Sequence, residues 1–454
     1  MFRVRNSMAR AEFIAQRASL SPGLTGLCLL LATAQFIHAQ ISLQLPPLAS
    51  DLPLPTILDQ YPEKPSLPPA FTIPLAPLGF SVPGKSYLLR RESLVSLNFL
   101  DEGRILFTFR VPGLLQRDAG DRQDDQKQQI QALVLSIANG KIESRAVWIV
   151  PDRSRYLWML NDGHYLLRVP DGLDEGDAEL KMKPYLRVPG RLLWISMDPG
   201  QQVMITNFLG PANSSQEPGE QGPLVTEPPA STTVRQKSSE QGVLVARTLK
   251  LESGEVIRES RAPWTNQTVD WPINAEGYLE KSQDKGDGWL LKLNDFSGGG
   301  RDLARIDSTC SPDYDFVSET VLLVKTCDPN SGWQLGAMLT RGGSLWESRT
   351  AMNAMMPLLV MAPKTTRLAR ETLLLKRSAG EYTRMVGMRD LQGQIVKVFD
   401  AGNGKMVMES PLTPIFDGGG NVAISPSGQR IAILNAGAIQ VFQPPAAPVL
   451  PGSP

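Results

Sequence analysis

Histidine is scarce, with only His38 and His164 among 454 residues. A histidine-rich metal centre is therefore excluded by arithmetic. A Ser-His-Asp triad would have to run through one of these two, and no Gly-x-Ser-x-Gly elbow offers the nucleophile. His164 follows Asn161-Asp162-Gly163 and reads as an exposed turn histidine. Net charge is also missing: 46 basic residues balance 46 acidic ones, which leaves no electrostatic footprint for a nucleic acid or an anionic membrane. No strand leads through a glycine-rich loop into a helix, so nucleotide binding has no support. Long apolar runs are absent too. The longest, Leu24 to Ile37, is too short to span a bilayer comfortably.

That run follows Arg3, Arg5, Arg10 and Arg17 and precedes Ala39, the order of a secretory signal over residues 1–39. An uncleaved N-terminal anchor is the alternative. Cleavage would remove four arginines against Glu12 alone and would leave the remainder about three charges negative. The expected location is periplasmic or extracellular, with no integral membrane segment after cleavage. Of three cysteines, Cys28 lies in the signal, and Cys310 and Cys327 remain. In an oxidising compartment this pair is expected to form a disulfide, because the run between them reads as adjacent strands. Two unpaired buried thiols are the alternative.

Proline is abundant from Leu45 to Gly84. The stretch 40–87 reads as an extended, disordered tether, with a closing strand proposed over 71–81. The Ser-, Pro- and Glu-rich segment 211–242 reads as a disordered insertion within a blade, and 444–454 as a tail. Between them, over 88–443, two hairpin patterns alternate. One has a turn begun by Asp, Asn or Ser and closed by Gly: Asp101-Glu102-Gly103, Asn161-Asp162-Gly163, Asp198-Pro199-Gly200 and Ser425-Pro426-Ser427-Gly428, with a looser copy at Asn274 to Gly277. The other has a Gly turn followed by a strand ending in Glu-Ser: Asn139-Gly140 with Glu143-Ser144, Ser253-Gly254 with Glu259-Ser260, Gly342-Gly343 with Glu347-Ser348, and Asn403-Gly404 with Glu409-Ser410. Apolar residues alternate within the strands, as at Val95, Leu97 and Phe99. One hairpin of each kind makes a four-stranded meander, which is one propeller blade. The fold expected is all-β: a single β-propeller of about seven four-stranded blades, closed by an N-terminal strand, with six or eight blades as alternatives. The eight tryptophans are expected to fill the wedges between blades, with sugar stacking as a minority role.

Asn421-Val422-Ala423-Ile424-Ser425-Pro426-Ser427-Gly428, continuing to Ile433, resembles a blade of WD40-like and YVTN-type propellers. Leu335–Glu347 is similar to the outer hairpin of quinoprotein-like blades. The whole chain resembles a group of exported propeller proteins common in acidobacterial genomes. The Trp-Asp dipeptide of WD40 repeats and the adjacent cysteine pair of some quinone-dependent dehydrogenases are absent.

Acid–base chemistry by a carboxylate pair stays open, because the required separation is spatial. Asp171, Asp174 and Asp177, with Glu175 and Glu179, offer oxygens to calcium, but without EF-hand spacing. A solvated connection between strands is the simpler reading there, so no cofactor is expected and calcium is the alternative. The functional expectation is a non-catalytic binding or scaffold protein that recognises a protein or glycan through a propeller rim. The alternatives are a carboxylate-based hydrolase or quinoprotein-like site in the central channel, and a structural subunit of an envelope assembly.

Overall fold

The computed structural model describes residues 56–58, 67–82, 95–111, 127–151, 155–210, 243–264, 271–284, 288–328, 332–350, 354–361, 367–377, 390–416 and 419–446. The expected signal, the insertion 211–242 and most of the tail and tether lie outside them. Seven antiparallel sheets follow one another along the chain. Blade 1 comprises Val95–Phe99, Arg104–Arg110, Lys127–Ser136 and Ile142–Pro151, and blade 2 Leu157–Met159, Tyr165–Val169, Gly172–Gly176 and Met182–Arg187. Blade 3 comprises Arg191–Met197, Val203–Gly210, Val243–Lys250 and Val256–Pro263. In blade 4 the first strand shrinks to a bridge between Ile273 and Tyr278, ahead of Gly277–Gln283, Gly288–Asp295 and Gly300–Asp307. Blade 5 holds Asp313–Phe316, Val321–Asp328, Gly332–Leu339 and Ser344–Thr350, and blade 6 Ala354–Met361, Arg367–Leu375, Leu391–Asp400 and Met406–Pro411. Blade 7 has Val422–Ile424, Ile431–Asn435 and Ala438–Phe442, and Phe71–Pro74 supplies its outer strand, with Phe71 opposite Val441 and Pro74 opposite Ala438. The first and last parts of the propeller thus share one sheet, which closes the ring.

Period-2 alternation explains why many strands are apolar on both faces. In the second strand of blade 5, Val321 and Leu323 pack toward blade 6, while Leu322 and Val324 pack toward blade 4. In blade 1, Ile105, Phe107 and Phe109 join the core shared with blade 7, and Leu106 joins that shared with blade 2. Each adjacent pair of blades encloses its own cluster. Among the described residues the smallest lies between blades 3 and 4, where Ile205, Ile273 and Tyr278 are the buried members. Trp148, Trp158 and Trp346 are buried in such wedges, and Trp346 Nε1 donates to the Ala401 carbonyl of the next blade at 2.7 Å.

Within the Pro-rich stretch, Thr56–Leu58 pairs in parallel with the outer strand of blade 5, Thr56 opposite Trp346 and Leu58 opposite Ser348. Cys310 and Cys327 form a disulfide, Cα to Cα 5.8 Å, tying the entry of blade 5 to the end of its second strand. No helix among the described residues is long and apolar enough to cross a membrane.

Candidate functional site

Among the described residues the hairpin turns within the blades fall at one end of the ring, here the turn end; blade 7 has a single such turn, because Phe71–Pro74 supplies its outer strand. The links between hairpins and between blades fall at the other, here the loop end. The two ends differ in construction. At the turn end, side chains bond the inner turn of one blade to that of another. Glu102 of blade 1 accepts the Ser427 N–H of blade 7 at 2.9 Å, and its carbonyl accepts from Arg430. Asn161 of blade 2 donates its backbone N–H to Gln201 Oε1 of blade 3 at 2.6 Å, and Gln201 Nε2 returns to the Met159 carbonyl at 2.9 Å. Arg367 of blade 6, fully buried, reaches Asp400 Oδ1 at 3.1 Å, the Gly428 carbonyl of blade 7 at 3.2 Å, and the Pro445 carbonyl beyond the last strand.

Glu319, in the inner turn of blade 5, accepts the Gly200 N–H of blade 3 at 2.8 Å and the Ala275 N–H of blade 4 at 2.6 Å. One carboxylate thereby joins three blades beside the wedge with the fewest buried apolar residues among those described. Asp198 of blade 3 meets it there. Asp198 begins the Asp-Pro-Gly turn, and its Oδ1 accepts the N–H groups of Gln202 at 2.7 Å and Val203 at 2.6 Å. Its Oδ2 is buried, has no N–H or O–H donor, and faces the Glu319 carboxylate. A Cβ added to Gly200 would stand 3.0 Å from Glu319 Oε1 and 3.1 Å from Asp198 Oδ2, so both oxygens close on the same glycine. Burial, first, and the neighbouring Glu319 carboxylate push Asp198 up to about 7, against the backbone donors that favour its charged form.

A second buried carboxyl lies between blades 6 and 7. Glu371 has no exposed surface, and burial pushes it up to about 8. Gln394 Nε2 donates to its Oε2 at 2.7 Å and to the Phe416 carbonyl at 3.1 Å, and the Phe416 N–H donates back to Gln394 Oε1 at 3.0 Å. With its amide turned so that nitrogen faces the carboxylate, Asn421 donates to Glu371 Oε2 at 3.2 Å and Oε1 at 3.3 Å.

The aspartates singled out for calcium are strung along one strand and its two ends. Asp171 and Asp174 face Arg187, at 3.7 and 2.5 Å, and Asp177 Oδ1 accepts the N–H groups of Glu179 at 3.0 Å and Lys181 at 2.9 Å. Glu175 pairs with Lys183 at 3.1 Å and with His164 Nδ1 at 2.9 Å. No group of three His, Cys, Asp or Glu that could hold a metal ion occurs among the described residues. Asp198, Glu319 and Glu371 carried no sequence signal beyond the turn pattern around Asp198, since their partners are distant in the chain.

The loop end is built otherwise. The second strands of blades 1, 3 and 6 end here, at Arg110, Gly210 and Leu375, and the third strands begin here, at Lys127, Val243 and Leu391, much farther along the chain than in blades 2 and 7, where 170–171 and 436–437 join the same two strands. Its described surface includes Lys281 of blade 4, held between Trp289 and Tyr314 with Nζ 6.0 and 5.4 Å from the ring centres and donating to the Pro312 carbonyl at 2.7 Å. Burial, and then the nearby Lys325, lower the Lys281 pKa against the pull of Asp313.

No family model and no curated protein matches the chain. Among solved structures, it is similar to the uncharacterized protein lmo1340 from Listeria monocytogenes EGD-e, with 10% identity and a TM-score of 0.43, covering 80% of this chain and 96% of that one. It is also similar to an acylaminoacyl peptidase from Pyrococcus horikoshii, with 8% identity and a TM-score of 0.44 over 77% of this chain and 52% of that one. The chain thus spans about half the peptidase's length. TolB from Acinetobacter baumannii follows at 11% identity and a TM-score of 0.31, over 71% of this chain and 78% of that one. At these values the likeness carries no inference about activity.

Proposed function

We propose that the chain is an exported, non-catalytic binding scaffold that offers the loop end of its ring to a protein or glycan partner. The observation that carries this reading is the asymmetry of the ends. Short turns are bonded to one another at the turn end, while Arg110, Gly210 and Leu375, the strand ends from which the longest within-blade connections in the sequence start, stand at the other. Recognition is commonly carried by long connections on a rigid support. The Cys310–Cys327 disulfide supports an oxidising compartment.

The Asp198–Glu319 pair is the one feature that favours a hydrolase, since a carboxyl titrating near 7 beside a second carboxylate is a general-acid arrangement. Its construction argues against that role. Retaining and inverting glycosidases hold their carboxyls about 5 Å or more apart to admit substrate or water, whereas these two close on one glycine and are tied by four backbone N–H groups.

Excision of 211–242 tests the reading. Gly210 and Val243 are opposite each other across the ladder, so a two-residue Gly turn can join them without stretching the sheet. The shortened protein is expected to keep its melting temperature and to lose capture of its envelope partner or array glycan. Unchanged capture, or capture abolished equally by turn-end substitutions that preserve the fold, would refute the assignment.

A further inference from the structure

Two carboxylates that close on one glycine in a poorly hydrated place require a compensating positive charge, and among the described residues no Lys, Arg or His acts on Asp198. A shared proton is one compensation. It would satisfy Asp198 Oδ2 but leave a third oxygen unexplained. Asn161, from the inner turn of blade 2, is fixed against the same glycine: its Nδ2 donates to the Gly200 carbonyl at 3.3 Å, and its backbone N–H to Gln201 at 2.6 Å. Its Oδ1 is nonetheless buried without a hydrogen-bond donor. Two orphaned oxygens, Asp198 Oδ2 on a side chain only 2% exposed and Asn161 Oδ1, therefore belong to side chains that reach Gly200, where Asp198 Oδ2 and Glu319 Oε1 close on the same face beside Gln202 Nε2 and the Asn161 amide bonds the carbonyl. Asp198 Oδ1 is filled by two N–H groups, while each Glu319 oxygen takes one and keeps a lone pair.

We propose that the turn end binds a calcium ion between Asp198 Oδ2, Glu319 and Asn161 Oδ1, joining blades 2, 3 and 5. Calcium is a hard cation that prefers carboxylate and amide oxygens and tolerates irregular geometry. A cation satisfies all three oxygens and replaces the proton that the pair would otherwise share. Glu319 is only half-buried, which leaves a route for the ion from solvent. The ion would tighten the ring where its apolar wedge is smallest, next to the reduced first strand of blade 4.

The test uses the full chain, stripped with a chelator and titrated with calcium chloride alone at pH 7.5. Calcium is expected to raise the melting temperature in a concentration-dependent way, with one binding event by calorimetry. Asp198→Asn and Glu319→Gln are expected to lose this response, Asn161→Ala to weaken binding about tenfold, and Asp174→Asn to leave it unchanged. If the carboxylate variants fail to fold, calorimetry on the wild type and Asn161→Ala still decides. Wild type that binds no calcium yet gains stability on acidification overturns the proposal in favour of a shared proton. Binding abolished by Asp174→Asn and kept by Asn161→Ala overturns it in favour of the acidic strand.

Discussion

Replacement of Glu371 by glutamine should rewrite the pH dependence of stability. Glu371 is fully buried in blade 6, and burial raises its carboxyl from 4.5 to about 8, outweighing the Gln394 hydrogen bond that favours the anion. An acid with a higher pKa in the folded state binds more protons folded than unfolded. Its contribution is therefore greatest below about pH 4.5 and declines as the pH rises through about 8. At about 1.4 kcal/mol per unit, the full window is worth on the order of 5 kcal/mol. Glutamine preserves the shape without the charge, at a cost of about 1 kcal/mol in rearranged hydrogen bonds. Urea unfolding of wild type and Glu371→Gln at pH 5, 6, 7 and 8.5 reads the effect as a difference, in which the other titrating groups cancel. The variant should be slightly less stable at pH 5 and several kcal/mol more stable at pH 8.5. Parallel curves across that range would refute the assignment of a buried, unpaired carboxyl.

Three further outcomes follow from the packing. Arg367→Met should cost about 3–5 kcal/mol, because it strands the buried Asp400, and adding Asp400→Asn should recover part of the loss in urea unfolding. Replacing Cys310 and Cys327 together by serine should cost about 3 kcal/mol, as expected for a loop of 17 residues, and reduction of the wild type should lower its melting temperature to match. Ile73→Ala, at 3% exposure in the closing strand, should cost about 2–5 kcal/mol. Its hydrogen exchange should rise first in blades 7 and 1, which share the core around Ile73.

The turns and the periodicity made the ring legible. Asp101 to Gly103 and Asp198 to Gly200 became inner turns, and Asn139-Gly140 and Asn403-Gly404 became outer ones, the last two glycines at φ of 66° and 67°. Such signals are local, and propeller blades are nearly local units. The closing strand expected over 71–81 ends at Pro74, and a 3-10 turn at Ala76–Leu78 follows. The parallel strand Thr56–Leu58 was hidden because three residues between prolines carry no alternation to read. The acidic stretch at Asp171 to Asp177 looked like a cluster because its members are close in sequence. In an extended strand that spacing separates them: Asp171 and Asp174 share Arg187, while Asp177 caps the turn that follows. Gly200 and Glu319 meet across 119 residues, so only the closed ring brings the candidate calcium oxygens together.

The claim that recognition belongs to the loop end is tested most directly by photo-crosslinking in the native envelope. A photoreactive residue at exposed Gln283 reports on the loop end, and one at exposed Asn139 on the turn end. A partner adduct from position 283 and none from 139 is the predicted result. An adduct formed from position 139 alone would contradict the account.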